Sequence, residues 1–366
     1  MKDQISSAIE NIFKINLDLK KSERVLVFTD NKNRNIGKIA KTVAETGKNF
    51  TFSIKYLEFK PTGCHGMEPP EELWEQAFGT DAYRTLKQKR LLRPLISKKI
   101  SKDKLKEAER IIKENRNKAI DVVIALSYYS TSHTRFRDFL NRLCGTRYAS
   151  MPLFDEEMLK GPMTVNCEKM LERTKTIAKS VSESENIKIE SPNGTSVTLS
   201  KTGREVKVDT GVITKPGAFG NLPAGEVYLA PLEGTARGRL VLEWAPTRKL
   251  KRPVILQIEK GLVKTAEGKE KYVEFLLKKL SEKRENRNIA ELGIGTNDTA
   301  CRPDNILESE KIFGTIHIAL GDNSSFGGKV RTSFHQDFVV FEPTITLIYK
   351  SGLEKEMMKK GRLLKN

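Results

Sequence analysis

Apolar residues recur along this chain with two different periods, and the change of period divides it. In MKDQISSAIENIFKIN, Ile5, Ile9, Ile12 and Phe13 fall on one stripe, which predicts an amphipathic helix. RVLVFTD reads as a buried strand, followed by a helix around Ile36 to Thr46 and a strand over Phe50 to Tyr56. AIDVVIALS at 119–127 is the next apolar strand, and a helix over Arg135 to Leu143 follows it. Strands alternating with helices predict a mostly parallel sheet. A helix over roughly Glu168 to Ser184 leads out of this region. From Ile187 onward the texture becomes one of short strands with turn signals; Asn193-Gly194 in SPNGTSV suits a hairpin. The expected fold class is therefore α/β in two lobes. Residues 1–185 form an N-terminal α/β lobe with a mostly parallel sheet, and 186–366 a strand-rich α+β lobe.

The second lobe carries the chemistry. In GTIHIALG, Ile316, Ile318 and Leu320 alternate with Thr315, His317 and Ala319, the two-residue period of a half-buried strand. In SFHQDF, Ser333, His335 and Asp337 share a face opposite Phe334 and Phe338. LPAGEVYLAP sets Glu226 and Tyr228 against Val227 and Leu229, and Glu291 opens ELGIGTN after Ile289. A carboxylate in such apolar company costs desolvation unless something positive meets it. Imidazoles and carboxylates on rigid strands suit a borderline or hard divalent metal, so Glu226, Glu291, His317, His335 and Asp337 are the candidate ligands. A lone His on a strand is more often a hydrogen-bonded structural residue; four strands each bringing ligand-type side chains shift the balance toward metal.

Composition narrows the classes. The 366 residues are 38% hydrophobic and 31% charged, enough chain for two domains. No stretch of about 18 apolar residues occurs and the N-terminus lacks the apolar run of a signal peptide, so a cytoplasmic protein without a membrane segment is expected. Cys64, Cys144, Cys167 and Cys301 are scattered, with no CxxC, and read as reduced thiols. The net charge of +18 is uneven: residues 84–118 hold fourteen Lys/Arg against four Asp/Glu. Leu105, Ala108 and Ile112 lie there at helical spacing, which predicts a helical insertion with a basic solvated face. Nucleic-acid binding by this segment is not favoured, because aromatic rings do not interleave with the charges. A P-loop is excluded in GDNSSFGGKV by Asn323 and Val330, and no GxSxG elbow appears. In the loop after 119–127, Ser132 and His133 are candidate substrate contacts, with helix capping as the plainer role for Ser132 or Thr134.

NLPAGEVYLAP, ELGIGTN, EKIFGTIHIALG and FHQDF together resemble the aminopeptidase T and aminopeptidase S family of metallo-aminopeptidases. The resemblance extends upstream to HGMEPPEELWEQA and to the stretch from Asp121 to Pro152. It implies a two-metal site at Glu226, Glu291, His317, His335 and Asp337, holding zinc, cobalt or manganese. It also implies short peptide substrates and a homodimer. The family places a catalytic Tyr seven residues after its first ligand His, and here that position is Ser324. Two ions about 3.5–4 Å apart would activate a bridging water, with Glu226 as candidate general base. The leading expectation is a metallo-aminopeptidase, a hydrolase. Two alternatives of other classes stand beside it. One is a mononuclear iron ring-cleaving dioxygenase using His317, His335 and Asp337, since a dihydroxypyridine dioxygenase resembles this family. The other is a non-catalytic basic nucleic-acid-binding protein.

Overall fold

The computed structural model describes residues 2–364. It divides into two compact units, one of residues up to Thr164 together with Gly211–Pro223, the other Val165–Thr210 with the chain from Ala224 onward. The sequence reading drew one boundary near 185. The Cys167–Glu183 helix belongs to the second unit, where Ile177 and Val181 enter the core. Residues 211–223 return to the first unit because Phe219–Asn221 pairs with Arg147–Ser150. A long-range strand pairing of this kind leaves no local signal.

Among the described residues, the first unit is built on a five-stranded parallel sheet. Its order is Ser53–Phe59, Arg24–Asp30, Val122–Ala125, Arg147–Ser150 and Phe219–Asn221. Val25, Leu26, Val27 and Phe28 are all buried, which is why this strand reads as a continuous apolar run rather than an alternating one. The Arg34–Gly47 helix starts at Asn33, whose side chain accepts from the backbone of Asn35 and Ile36. The basic stretch folds as the helices Thr80–Gln88, Leu92–Ile96 and Lys102–Glu114. Leu86, Leu92, Leu95, Ala108, Ile111 and Ile112 are buried in the same core as Phe28, Trp74 and Phe136. The cations occupy the solvent side of helices whose other side is structural.

The second unit, among the described residues, combines an eight-stranded and a five-stranded sheet. The smaller sheet runs in the order His335–Phe341, Thr315–Gly321, Ile289–Gly295, Glu226–Leu229 and Lys207–Asp209, all antiparallel. Val227, Leu229, Leu292, Ile294, Ile316, Ile318, Phe338 and Val340 on its apolar face share one core with Ile187, Val197, Leu240, Leu256 and Ile345 of the larger sheet. Asn186–Glu190 and Ser196–Ser200 form the hairpin that Asn193-Gly194 predicts, with Gly194 at φ 95°.

In the Lys271–Glu282 helix the buried side is Val273, Leu276 and Leu280, while Phe275 is exposed. Positions 273 and 275 lie about 200° apart on a helix, so both cannot face one core. After Lys350, Glu354–Lys359 and Arg362–Leu363 close the larger sheet, with Met357 and Met358 buried. No helix among the described residues is long and apolar enough to cross a membrane.

Candidate metal centre

The polar face of the five-stranded sheet is where the predicted ligands meet. Antiparallel register sets Gly293 opposite His317 on one side and Tyr228 on the other, and Ala319 opposite both Glu291 and Asp337. A β-bulge between Ile289 and Glu291 changes the parity of that strand. Ile289 and Leu292 therefore both enter the core while Glu291 turns to the polar face, a re-aiming that bulges near active sites commonly perform. Gly293, Gly295, Ala319 and Gly321 leave the floor of this face nearly bare. The imidazole of His317 lies so close over Gly293 that a Cβ there would fall within the ring.

The side chains form two groups that share Glu291. Ligand atoms of Glu226, Glu291 and His317 lie within 4.8 Å of one another, and so do those of Glu291, His335 and Asp337. Nε2 of His317 is 3.5 Å from Glu226 Oε2 and 3.5 Å from Glu291 Oε1. Nε2 of His335 is 3.5 Å from Glu291 Oε2 and 3.4 Å from Asp337 Oδ2. His335 Nδ1 donates to the carbonyl of Asp322 at 2.8 Å, which points Nε2 at the carboxylates and fixes the ring as outer-shell hydrogen bonds do for metal ligands. All five predicted ligands are thus brought together, although His317 falls in the group of Glu226, not with His335 and Asp337.

The donor set fits a metal ion. Glu226 Oε2 and His317 Nδ1 are buried without a hydrogen-bond partner in the structure. Buried polar atoms are normally satisfied, and exceptions concentrate where a ligand or ion completes them. Three carboxylates this close also need positive charge to offset their repulsion and desolvation.

Part of that charge is built in. Lys311 is fully buried, and its Nζ donates to Glu226 Oε1 at 2.7 Å and to Glu310 Oε2 at 3.1 Å. Burial alone would push the Lys311 ammonium down, but Glu226 and Glu310 hold it well above the usual lysine range. Burial raises the Glu310 carboxyl to about 8 and also raises Glu291, which the Asp337 charge pushes further. Burial opposes charge on both imidazoles. The hydrogen bond to Glu291 and the charge of Glu226 nevertheless raise His317 to about 9. The charge and hydrogen bond of Asp337 raise His335 to about 10. Asp337 resists the upward push of burial because His335 holds it well below the ordinary carboxylate range.

Sequence reasoning missed Lys311 and Glu310. They precede the strand in SEKIFG, and no local pattern marks them as site residues. Gly293 was more legible, because alternation in ELGIG puts it on the face of Glu291. Ser324, standing where the resemblance places a Tyr, donates from its backbone and hydroxyl to the Asp322 carboxylate at 3.1 and 3.0 Å. Ser132 and His133 lie in the first unit, on the loop after Val122–Ala125. There the Ser132 hydroxyl hydrogen-bonds those of Ser130 and Ser150, and Thr134 caps the Arg135–Phe139 helix.

A two-lobed α/β protein with a buried carboxylate–imidazole centre on an antiparallel sheet is the class defined by this fold and site. Residues 85–365 match the family NicX: 2,5-dihydroxypyridine 5,6-dioxygenase, and the chain belongs to that enzyme family. The fold is similar to that of the 2,5-dihydroxypyridine dioxygenase from Pseudomonas putida, with a TM-score of 0.72 and 18% identity over 100% of this chain and 98% of that one. It is also similar to wild-type AmpT from Thermus thermophilus, with a TM-score of 0.61 and 16% identity over 100% of both chains. The expected likeness to aminopeptidase T is therefore one of fold, while the family is that of the dioxygenase. No curated protein matches the sequence.

Two predictions follow from this geometry. Gly293→Ala has no backbone cost, since Gly293 is not at positive φ, but its methyl must displace the His317 ring. Metal affinity should fall roughly 10- to 100-fold with the fold retained. Competition with a chelator, alongside circular dichroism, checks this, and unchanged affinity would remove His317 from the ligand set.

The second concerns pH. Both imidazoles are raised above their ordinary 6.5, so their protonation stabilises the metal-free fold fully below about pH 6.5. That contribution is lost as pH rises through about 9 and 10. A metal ion must displace these protons, so its apparent affinity should rise from pH 7 to 9 with proton release on binding. Calorimetry in buffers of different ionisation enthalpy measures both quantities; a flat affinity over that interval would exclude the imidazoles as ligands.

Proposed function

We propose that this protein is an oxygenase of the NicX type: it binds one ferrous ion with Glu291, His317, His335 and Asp337 and cleaves the ring of a hydroxylated nitrogen heterocycle with dioxygen. The observation that carries this reading is the Lys311–Glu226 pair. It places a fixed internal cation in the half of the site where a two-metal enzyme would seat its second ion. With Glu226 matched by Lys311 and burial favouring the neutral form of Glu310, the uncompensated acids are Glu291 and Asp337, whose joint charge suits one divalent ion. Family membership supports the same choice. A bound ferrous ion supplies the redox chemistry that lets dioxygen react with an electron-rich ring. The chain's own part is positional: Asp322 orients His335, Gly293 admits the His317 ring, and Lys311 holds Glu226.

A second reading is favoured by a specific observation, the sharing of Glu291 between two contiguous ligand groups. That arrangement also suits two zinc, cobalt or manganese ions with Glu291 bridging and Glu226 as ligand or general base, the layout of an aminopeptidase acting on short peptides. Against it, Ser324 offers no phenol where the resemblance calls for one.

Metal analysis separates the two. The oxygenase reading expects about one iron per chain after anaerobic loading with ferrous salt, and oxygen uptake with 2,5-dihydroxypyridine or a related hydroxylated ring. About two zinc, cobalt or manganese ions per chain, with release of N-terminal residues from short peptides, would replace it with the aminopeptidase reading. The Lys311 argument has its own check. Lys311→Met leaves Glu226 unmatched, so metal content should rise from one ion per chain toward two. Content that stays at one would show that Lys311 does not set the stoichiometry.

A further inference from the structure

The first eight residues of the loop joining Thr315–Gly321 to His335–Phe341 are polar except at one position. DNSSFGGK carries a single large apolar side chain, Phe326, between exposed Ser325 and exposed Gly327. The loop is held firmly. Asn323 is fully buried; its side chain donates to Glu233 Oε1 at 3.1 Å and accepts from the backbone of Val330 at 2.9 Å. Glu233 also accepts from the backbone of Lys329 at 2.8 Å and pairs with Arg204, which donates to the carbonyl of Gly327. A loop fixed on both sides of Phe326 fixes where that ring stands.

Phe326 is not part of the hydrophobic core of its unit. It stands half-buried, edge to face with His335, at 6.0 Å between centroids and 89° between planes. On its other side is Tyr228, at 5.9 Å and 68°. Tyr228 is itself half-buried and follows Glu226 on the polar face of the Glu226–Leu229 strand, opposite bare Gly293. The order Tyr228, Phe326, His335 is thus a continuous aromatic wall along one side of the metal centre, above a floor of Gly293, Ala319 and Gly321. A half-buried ring held by a rigid loop beside a polar site offers a planar ligand a flat apolar face at a fixed position.

Building on the one-iron reading above, we infer that Phe326, backed by Tyr228, is the surface against which the planar ring of the substrate lies, and so is a specificity-determining residue for aromatic over non-aromatic ligands. A plainer role, in which Phe326 merely shields His335 from water, predicts different behaviour. Leucine would shield equally well but offers no flat face.

The experiment uses the full-length protein loaded with iron under anaerobic conditions. Two probes are titrated: 2,5-dihydroxypyridine, and acetohydroxamate as a chelating ligand without a ring. Phe326→Leu should weaken binding of the ring probe roughly tenfold, the range of aromatic stacking, with iron content and acetohydroxamate affinity unchanged. Phe326→Trp should restore the ring probe. Equal affinity of wild type and Phe326→Leu for 2,5-dihydroxypyridine would overturn the inference and leave the oxygenase reading intact. Equal weakening of both probes would overturn it in favour of a general packing role for Phe326 beside the iron ligands. Iron-loaded wild type that binds no ring would overturn the inference together with the reading it rests on, a failure visible in wild type alone.

Discussion

Repulsion among buried carboxylates is the constraint on which this structure turns. Glu226, Glu291 and Asp337 occupy one face of a single sheet with ligand atoms a few ångströms apart, and Glu310 lies beside them. In water these groups would separate. Here they are held by strands whose other face, from Val227 through Val340, is buried in the core of the second unit. Hydrophobic burial on one side of the sheet therefore sustains electrostatic strain on the other. The strain is relieved in part by Lys311 and in part by protonated imidazoles when no metal is bound. Breaking an internal pair of this kind leaves an uncompensated charge and costs on the order of 3–5 kcal/mol, which is why Lys311 bears on both stability and chemistry.

The floor of the site follows from the same constraint. Side chains large enough to serve as ligands leave no room for large neighbours across an antiparallel sheet, where opposed Cβ atoms are about 5 Å apart. Gly293 and Ala319 occupy the intervening register positions. The bulge at Ile289–Glu291 lets one strand send Ile289, Leu292 and Ile294 into the core and Glu291 to the site without breaking its pairing. Outer contacts then finish the geometry, with the Asp322 carbonyl setting the His335 ring and the fixed 322–332 loop bringing Phe326 to its flank.

The same scaffold is found in a dioxygenase and in AmpT, so fold by itself does not choose between oxidation and hydrolysis. Two local features bear on that choice: Lys311 is paired with Glu226 inside the site, and Ser324 stands where the resemblance places a phenol. The basic helices of the first unit carry much of the net charge: their cations face solvent while Ala108, Ile111 and Ile112 serve the core.

The sequence by itself determined most of the elements and which side chains are candidate ligands. Both are written in short-range periodicity: alternation exposed His317, His335 and Asp337 on strand faces, and continuous apolar runs marked the parallel strands of the first unit. It also determined that these residue types suit a divalent metal, because that follows from donor chemistry alone. Only the tertiary structure decided how the ligands group. Sharing of Glu291, the bulge that turns it to the site, and the separation of His317 from the His335–Asp337 pair depend on register between strands distant in the chain. Lys311 and Phe326 were invisible for the same reason, since Lys311 matters through Glu226 and Phe326 through Tyr228, both far away along the chain. The return of 211–223 to the first sheet belongs here too. Periodicity is a property of neighbours along the chain, whereas charge balance and strand pairing are properties of neighbours in space, and only folding makes the two coincide.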